Sequence, residues 1–175
     1  MKRVLSAVCC LALCSATAFA APQHKGAEGP TMGDQQFVDF AAQTDMTEAN
    51  LGQLAQNNAD AQQVKDYGQM LTADHTKDYS QLFSVAKQAN LNVPNAIDSE
   101  HNKMDLDPLE KLNGAHFDHK FIAEMIAGHT KAIAIYKKEA ADAQNPALKD
   151  YAQQALPVLQ KHLDDAKGLE KSKTK

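Results

Sequence analysis

The chain has 175 residues, 18 of them basic and 22 acidic, for a net charge of −4 with histidine neutral. That balance leaves no concentration of lysine and arginine on which a phosphate backbone could lie, so nucleic acid is excluded as a partner class. The three cysteines, Cys9, Cys10 and Cys14, all sit near the N-terminus. The rest of the chain therefore builds no disulfide, thiolate metal site or cysteine nucleophile.

The N-terminus reads as an export signal. Lys2 and Arg3 form a positive start, Val4 to Leu13 an apolar run, and Ala18 and Ala20 an A-x-A cleavage pattern. Cleavage is expected after Ala20, which makes 1–20 a signal peptide and places the mature protein in the periplasm or cell envelope. The signal takes two basic residues and no acidic one, so residues 21–175 carry a charge of −6. Its apolar run is shorter than the ~20 residues a bilayer span needs. No later run is continuously apolar, so no transmembrane helix is expected after signal removal. Val8 and Leu13 precede Cys9 and Cys14, where lipoprotein processing wants a small residue, which argues against a lipid anchor.

Residues 21–33, rich in Gly and Pro, read as a flexible lead-in. A helical domain is expected over 34–170, with 171–175 as a disordered tail. The first helix is predicted over 34–57 with Asp34 as N-cap and Phe37, Ala41, Thr44, Leu51 and Ala55 on one face. The second is predicted to start at Asp60, with Gln63 in the capping-box position, and to end near Asn90. Its stripe includes Val64, Tyr67, Leu71, Tyr79, Leu82 and Ala86. Pro94, Pro108 and Gly114 punctuate the stretch that follows, which is expected to hold short helical pieces around 99–104 and after 107. The third helix is predicted over 115–143 with Ile122, Met125, Ile133, Tyr136 and Ala140 inward. Asn145-Pro146 opens the fourth, which presents Leu148, Tyr151, Ala155, Val158, Leu159, Ala166 and Leu169. Pro157 is expected to kink it near Gln153. Short connections after helices one and three make two antiparallel pairs, hence an all-α four-helix bundle. The middle segment either crosses the bundle's length, as in ferritin-like folds, or folds across one end.

The apolar stripes are interrupted at matching places. At 100° per residue Glu48 centres helix one's apolar face, His75 helix two's, His129 lies four residues after Met125, and His162 four after Val158. In an up-and-down bundle the three histidines fall within roughly 5 Å of one height and Glu48 roughly 10 Å away; with a crossover all four share a ~10 Å band. Two constructions fit. One is a transition-metal site (iron, copper, zinc or manganese) with His75, His129 and His162 as ligands and Glu48 as a fourth. The other is a buried hydrogen-bond network in which Tyr79, Tyr136 and Tyr151 satisfy the imidazoles. Around these, Asp118 is expected to cap helix three, Asp74 either orients His75 or faces water, and Met125 is expected to pack in the core. Signatures of hydrolases, P-loops and dinucleotide sites are absent, as is the Glu-x-x-His pair of di-iron bundles.

Four stretches carry a family resemblance: FVDFAAQTDMTEANLGQLA from Phe37, VKDYGQMLTADHTKDYSQL from Val64, NGAHFDHKFIAEMIAGHTKAI from Asn113 and ALPVLQKHLDDA from Ala155. On them the sequence resembles the bacterial domain of unknown function 4142 family, exported proteins often labelled outer membrane proteins. The resemblance implies a ferritin-like four-helix bundle and export, and no established activity. Its motif positions coincide with Glu48, Asp74, His75, Asp118, His129 and His162. A shorter likeness, over residues 121–133, is to the domain of unknown function 305 family.

Three function classes follow. The first is a non-catalytic periplasmic bundle that binds or buffers one transition-metal ion. The second is a structural or interaction protein of the envelope, stress-related, with a metal-free His/Glu/Tyr network. The third is an oxidoreductase on a ferritin-like core, against which the low carboxylate count speaks.

Overall fold

The computed structural model describes residues 33–173, so the predicted signal peptide and most of the lead-in lie outside the described residues. Four long helices carry the domain: α1 (Asp34–Asn58), α2 (Gln62–Gln88), α5 (Gly114–Asp142) and α6 (Pro146–Lys173). Between α2 and α5 lie α3 (Ser99–His101), a π-helical turn (Asn102–Leu106) and α4 (Asp107–Glu110). α6 runs three residues into the segment predicted as a tail. None of the described helices is long and apolar enough to cross a membrane.

The helix starts differ in detail from expectation. Gly33, not Asp34, is the N-cap of α1, and Asp34 sits in the first turn, where its charge favours the exposed N–H groups. Ala61 precedes α2 with no side-chain cap of its own. The capping comes from a distance: the Asp118 carboxylate, near the start of α5, accepts from the backbone N–H of Asp60 (3.0 Å) and Ala61 (3.1 Å). Asp118 thus closes the α1–α2 turn, a role the expected cap of helix three did not include.

Hydrogen bonds along α1 show how the middle segment runs. Gln35, at the start of α1, donates to the carbonyl of Asn92 and accepts from its N–H. Two turns on, Gln43 does the same with Ala96 O and Asp98 N. Asn58, at the far end of α1, donates to Leu112 O. Residues 89–113 therefore traverse the whole bundle beside α1, and α5 starts at the end where α2 starts. α2 and α5 are parallel, the ferritin-like crossover. Two glutamine side chains and Tyr79, which donates to Pro94 O, give this irregular strand of backbone the partners it would otherwise lack.

Helices α1 and α2 approach closely through a glycine pair. A Cβ on Gly52 would sit 2.5 Å from Gly68 O, and one on Gly68 would sit 2.6 Å from Ala55 Cβ. No larger residue fits at this crossing.

The core is divided. One apolar block contains Phe37, Val38, Leu82, Tyr136, Leu148 and Tyr151. The other contains Leu51, Val64, Leu71, Phe117, Phe121 and Met125. Between them α1 contributes Asp45 and Glu48, α2 His75, α5 His129 and α6 His162, all buried. A layer of ionisable side chains thus crosses the bundle with hydrocarbon above and below.

Candidate metal centre

All four long helices send a side chain into this layer, and the three histidines meet. One nitrogen from each of His75, His129 and His162 lies within 4.8 Å of the others. The ring centroids are 5.2–5.8 Å apart. Glu48 completes the group, its Oε2 2.8 Å from His75 Nε2 and 3.1 Å from His129 Nε2. The crossover brings Glu48 to the same height as the histidines.

Each imidazole has one nitrogen turned out of the cluster and tied to oxygen. His129 Nδ1 lies 2.9 Å from the carbonyl of Met125 one turn earlier. A carbonyl only accepts, so Nδ1 is the N–H donor and Nε2 keeps its lone pair when the ring is neutral. His75 Nδ1 lies 2.9 Å from Asp45 Oδ1, and His162 Nε2 2.9 Å from Asp74 Oδ2. The inward atoms are then His75 Nε2, His129 Nε2, His162 Nδ1 and Glu48 Oε2. They are poorly satisfied by one another. His129 Nε2 and His162 Nδ1 are 3.2 Å apart, while His75 Nε2 and Glu48 Oε2 form an ion pair at 2.8 Å whose hydrogen-bond geometry is poor. Buried polar atoms without well-aligned partners are costly, and His75 Nε2 and Glu48 Oε2 are two such atoms. Together with the two facing ring nitrogens of His129 and His162 they converge on one point and suit a cation of the imidazole–carboxylate class. The donor set therefore fits a transition-metal ion.

The charges sort unequally. Burial works against ionising His75, but Glu48 and Asp45 on its two sides outweigh it and raise the ring to about 10. Burial would raise Glu48, yet the imidazoles of His129 and His75 bring it down to about 2. Burial lowers His129 and His162, and the charge on His75 adds to it, taking His162 to about 4. Burial raises Asp45 to about 7 in spite of its hydrogen bond to His75. The electrostatics thus favour an imidazolium at His75 beside the Glu48 carboxylate, with His129 and His162 pushed toward neutrality and Asp45 toward keeping its proton.

The tyrosines do not serve the imidazoles. Tyr79 bonds to the crossover, while Tyr136 and Tyr151 pair with each other and Tyr151 donates to Asp78 at 2.7 Å. Asp74 bonds to His162, not to its neighbour His75. The sequence reading missed Asp45. The available signal was a second acid three residues before Glu48, set to one side of the stripe rather than on its centre line. Gly128 was also passed over: a Cβ there would lie 3.3 Å from Glu48 Oε1, so its bareness makes room for that carboxylate.

The family described as "Domain of unknown function (DUF4142)" matches residues 19–169. The chain belongs to this family. Among solved structures, the DUF4142 chain is similar to CopM in its Cu(I)-bound form, at 17% identity over 81% of this chain and 98% of that one, with a TM-score of 0.68. The Cu(II)-bound form of CopM aligns with the same identity and TM-score over 82% and 99%. The apo form aligns over 81% and 98% with a TM-score of 0.66. At that identity the likeness is one of fold. No curated protein matches.

Proposed function

We propose that this DUF4142 protein is an exported, non-catalytic bundle that holds one transition-metal ion between its two apolar cores. His75, His129, His162 and Glu48 are its ligands. The observation that carries this is the pattern of outer partners. Asp45, the Met125 carbonyl and Asp74 each hold the outward nitrogen of one ring, the arrangement that fixes tautomer and orientation in metal-ligating histidines. Three imidazoles and a carboxylate favour borderline divalent ions over soft monovalent ones. Copper(II) and zinc lead, with iron and manganese behind. The Cu(II)-bound form of CopM, a protein of similar fold, supports placing copper first. When bound, the ion would neutralise the buried donors and tie all four helices together; the protein's own work is to bind and to keep water out.

Elemental analysis of untagged mature protein from the periplasm, beside a His129→Ala variant, tests this. Close to one first-row metal per chain, lost in the variant, is the expected result. Metal-free protein that takes up no ion on reconstitution overturns it.

One observation favours a rival. The His75 ring between Asp45 and Glu48 is already a self-contained buried charge cluster. An envelope protein using it only to specify packing would be metal-free, and replacing the cluster with apolar residues would be neutral or stabilising.

A further inference from the structure

Two surface depressions reach the layer from opposite sides. One is a groove of about 800 Å³ between α2 and α6, lined among others by Asp74, Asp78, Asp150 and Val158, with His75 and His162 also among its lining residues. The other is a crevice of about 250 Å³ against α1 and α5, reaching Glu48 and bordered by Asp105, Glu124 and Lys131. The groove is the larger and reaches two of the proposed ligands against one. Each depression carries three carboxylates against a single lysine, Lys77 in the groove and Lys131 in the crevice, so both draw cations, and what sets the groove apart is its reach to two rings.

The outer partners of the three rings also differ on that side. Asp45, behind His75, is 1% exposed, and the His129–Met125 contact is buried. The Asp74 side chain, behind His162, is 41% exposed. Water can compete for that one hydrogen bond alone, so His162 is the ring held least firmly. Five residues earlier on the same helix, Pro157 has no N–H to give the carbonyl of Gln153. The helix wall carrying Gln154, Ala155, Val158 and Leu159 along the groove is thereby missing a rung of its ladder.

Building on the metal-binding assignment, we infer that the groove between α2 and α6 is the route by which the ion enters and leaves, and that His162 is the ligand that opens to pass it. The crevice on the far side reaches a single proposed ligand, Glu48, and none of the three rings. Asp150 and Gln154 line the groove and form no hydrogen bond or ion pair with the proposed ligands or their outer partners, so they can be changed without altering the donor set.

Stopped-flow uptake of Zn²⁺ and Cu²⁺ by full-length mature protein, followed with a chromogenic chelator, tests the route. The comparison is wild type, the groove double variant Asp150→Lys/Gln154→Lys, and the crevice variant Glu124→Lys. The groove variant is expected to load about 5- to 10-fold more slowly at low salt, with the gap closing at high ionic strength and the final stoichiometry unchanged. Glu124→Lys is expected to load at the wild-type rate. Slowing by Glu124→Lys alone, or equal rates in all three, overturns the groove as the route while leaving metal binding intact. Absence of uptake by wild type overturns the metal assignment and the route with it.

Discussion

Glu48 and Glu139 are the same side chain with the same exposure, each 5% exposed and each with one carboxylate oxygen that accepts no hydrogen bond. Their environments drive them in opposite directions. Glu48, in the polar layer, has His129 and His75 beside it and falls to about 2 in spite of burial. Glu139, toward the end of α5, is raised by burial, with the acidic Asp34 and Asp142 adding to the effect, and reaches about 7. Low exposure alone therefore does not decide whether a buried acid is charged; the sign of its neighbours does. The polar layer surrounds its carboxylate with imidazole and is built for positive charge. The end of the bundle tolerates its carboxylate by letting it keep a proton.

The largest test of that contrast is Glu48→Gln, which keeps the shape and removes the charge. Breaking the buried pair with His75 is expected to cost about 3–5 kcal/mol in the metal-free protein at pH 7, measured by urea unfolding. A neutral or stabilising result would mean that Glu48 does not serve as the counter-charge of His75.

A smaller effect concerns His75 and pH. Its folded value, about 10, lies above its ordinary 6.5, so its contribution to stability is complete below pH 6.5 and disappears as pH rises toward 10. Asp45 and Glu139, both near 7 in the fold against ordinary values of 3.8 and 4.5, change stability mainly below pH 7. The alkaline slope therefore belongs to His75. Metal-free protein should lose on the order of 2 kcal/mol between pH 7 and 9, and His75→Gln should flatten that loss. An equal slope in the variant would place the proton elsewhere.

The smallest effect has the opposite sign. Glu139 ionises in the unfolded chain near 4.5 but in the fold only near 7, so above pH 7 its charge works against folding. Glu139→Gln should stabilise by about 1 kcal/mol at pH 8 and change little at pH 5. Thermal unfolding at both pH values checks this, and destabilisation at pH 8 would reveal a cation near Glu139.

Several features were legible from periodicity because they are properties of single helices. The 3.6-residue stripes set out the four long helices, and Glu48, His75, His129 and His162 interrupt them where side chains must point inward. Burial of all four followed from their positions on those faces. Details that depend on exposure were harder: Val158 lies on its helix's apolar face by position, yet it is 42% exposed on the groove side.

What the sequence determined by itself was the helices, their inward faces and the ionisable residue that each brings to the core. Pairings across helices were decided only by the tertiary structure. Asp74 sits beside His75 in the chain but bonds to His162 on α6, and Asp118 opens α5 but closes the turn before α2. The height of Glu48 hung on the crossover, and that rests on Gln35, Gln43 and Asn58 holding residues 89–113 along α1. The physical reason is one of range: helix periodicity is local and repeats along the chain, whereas a carboxylate finds its partner only after packing has placed distant turns side by side.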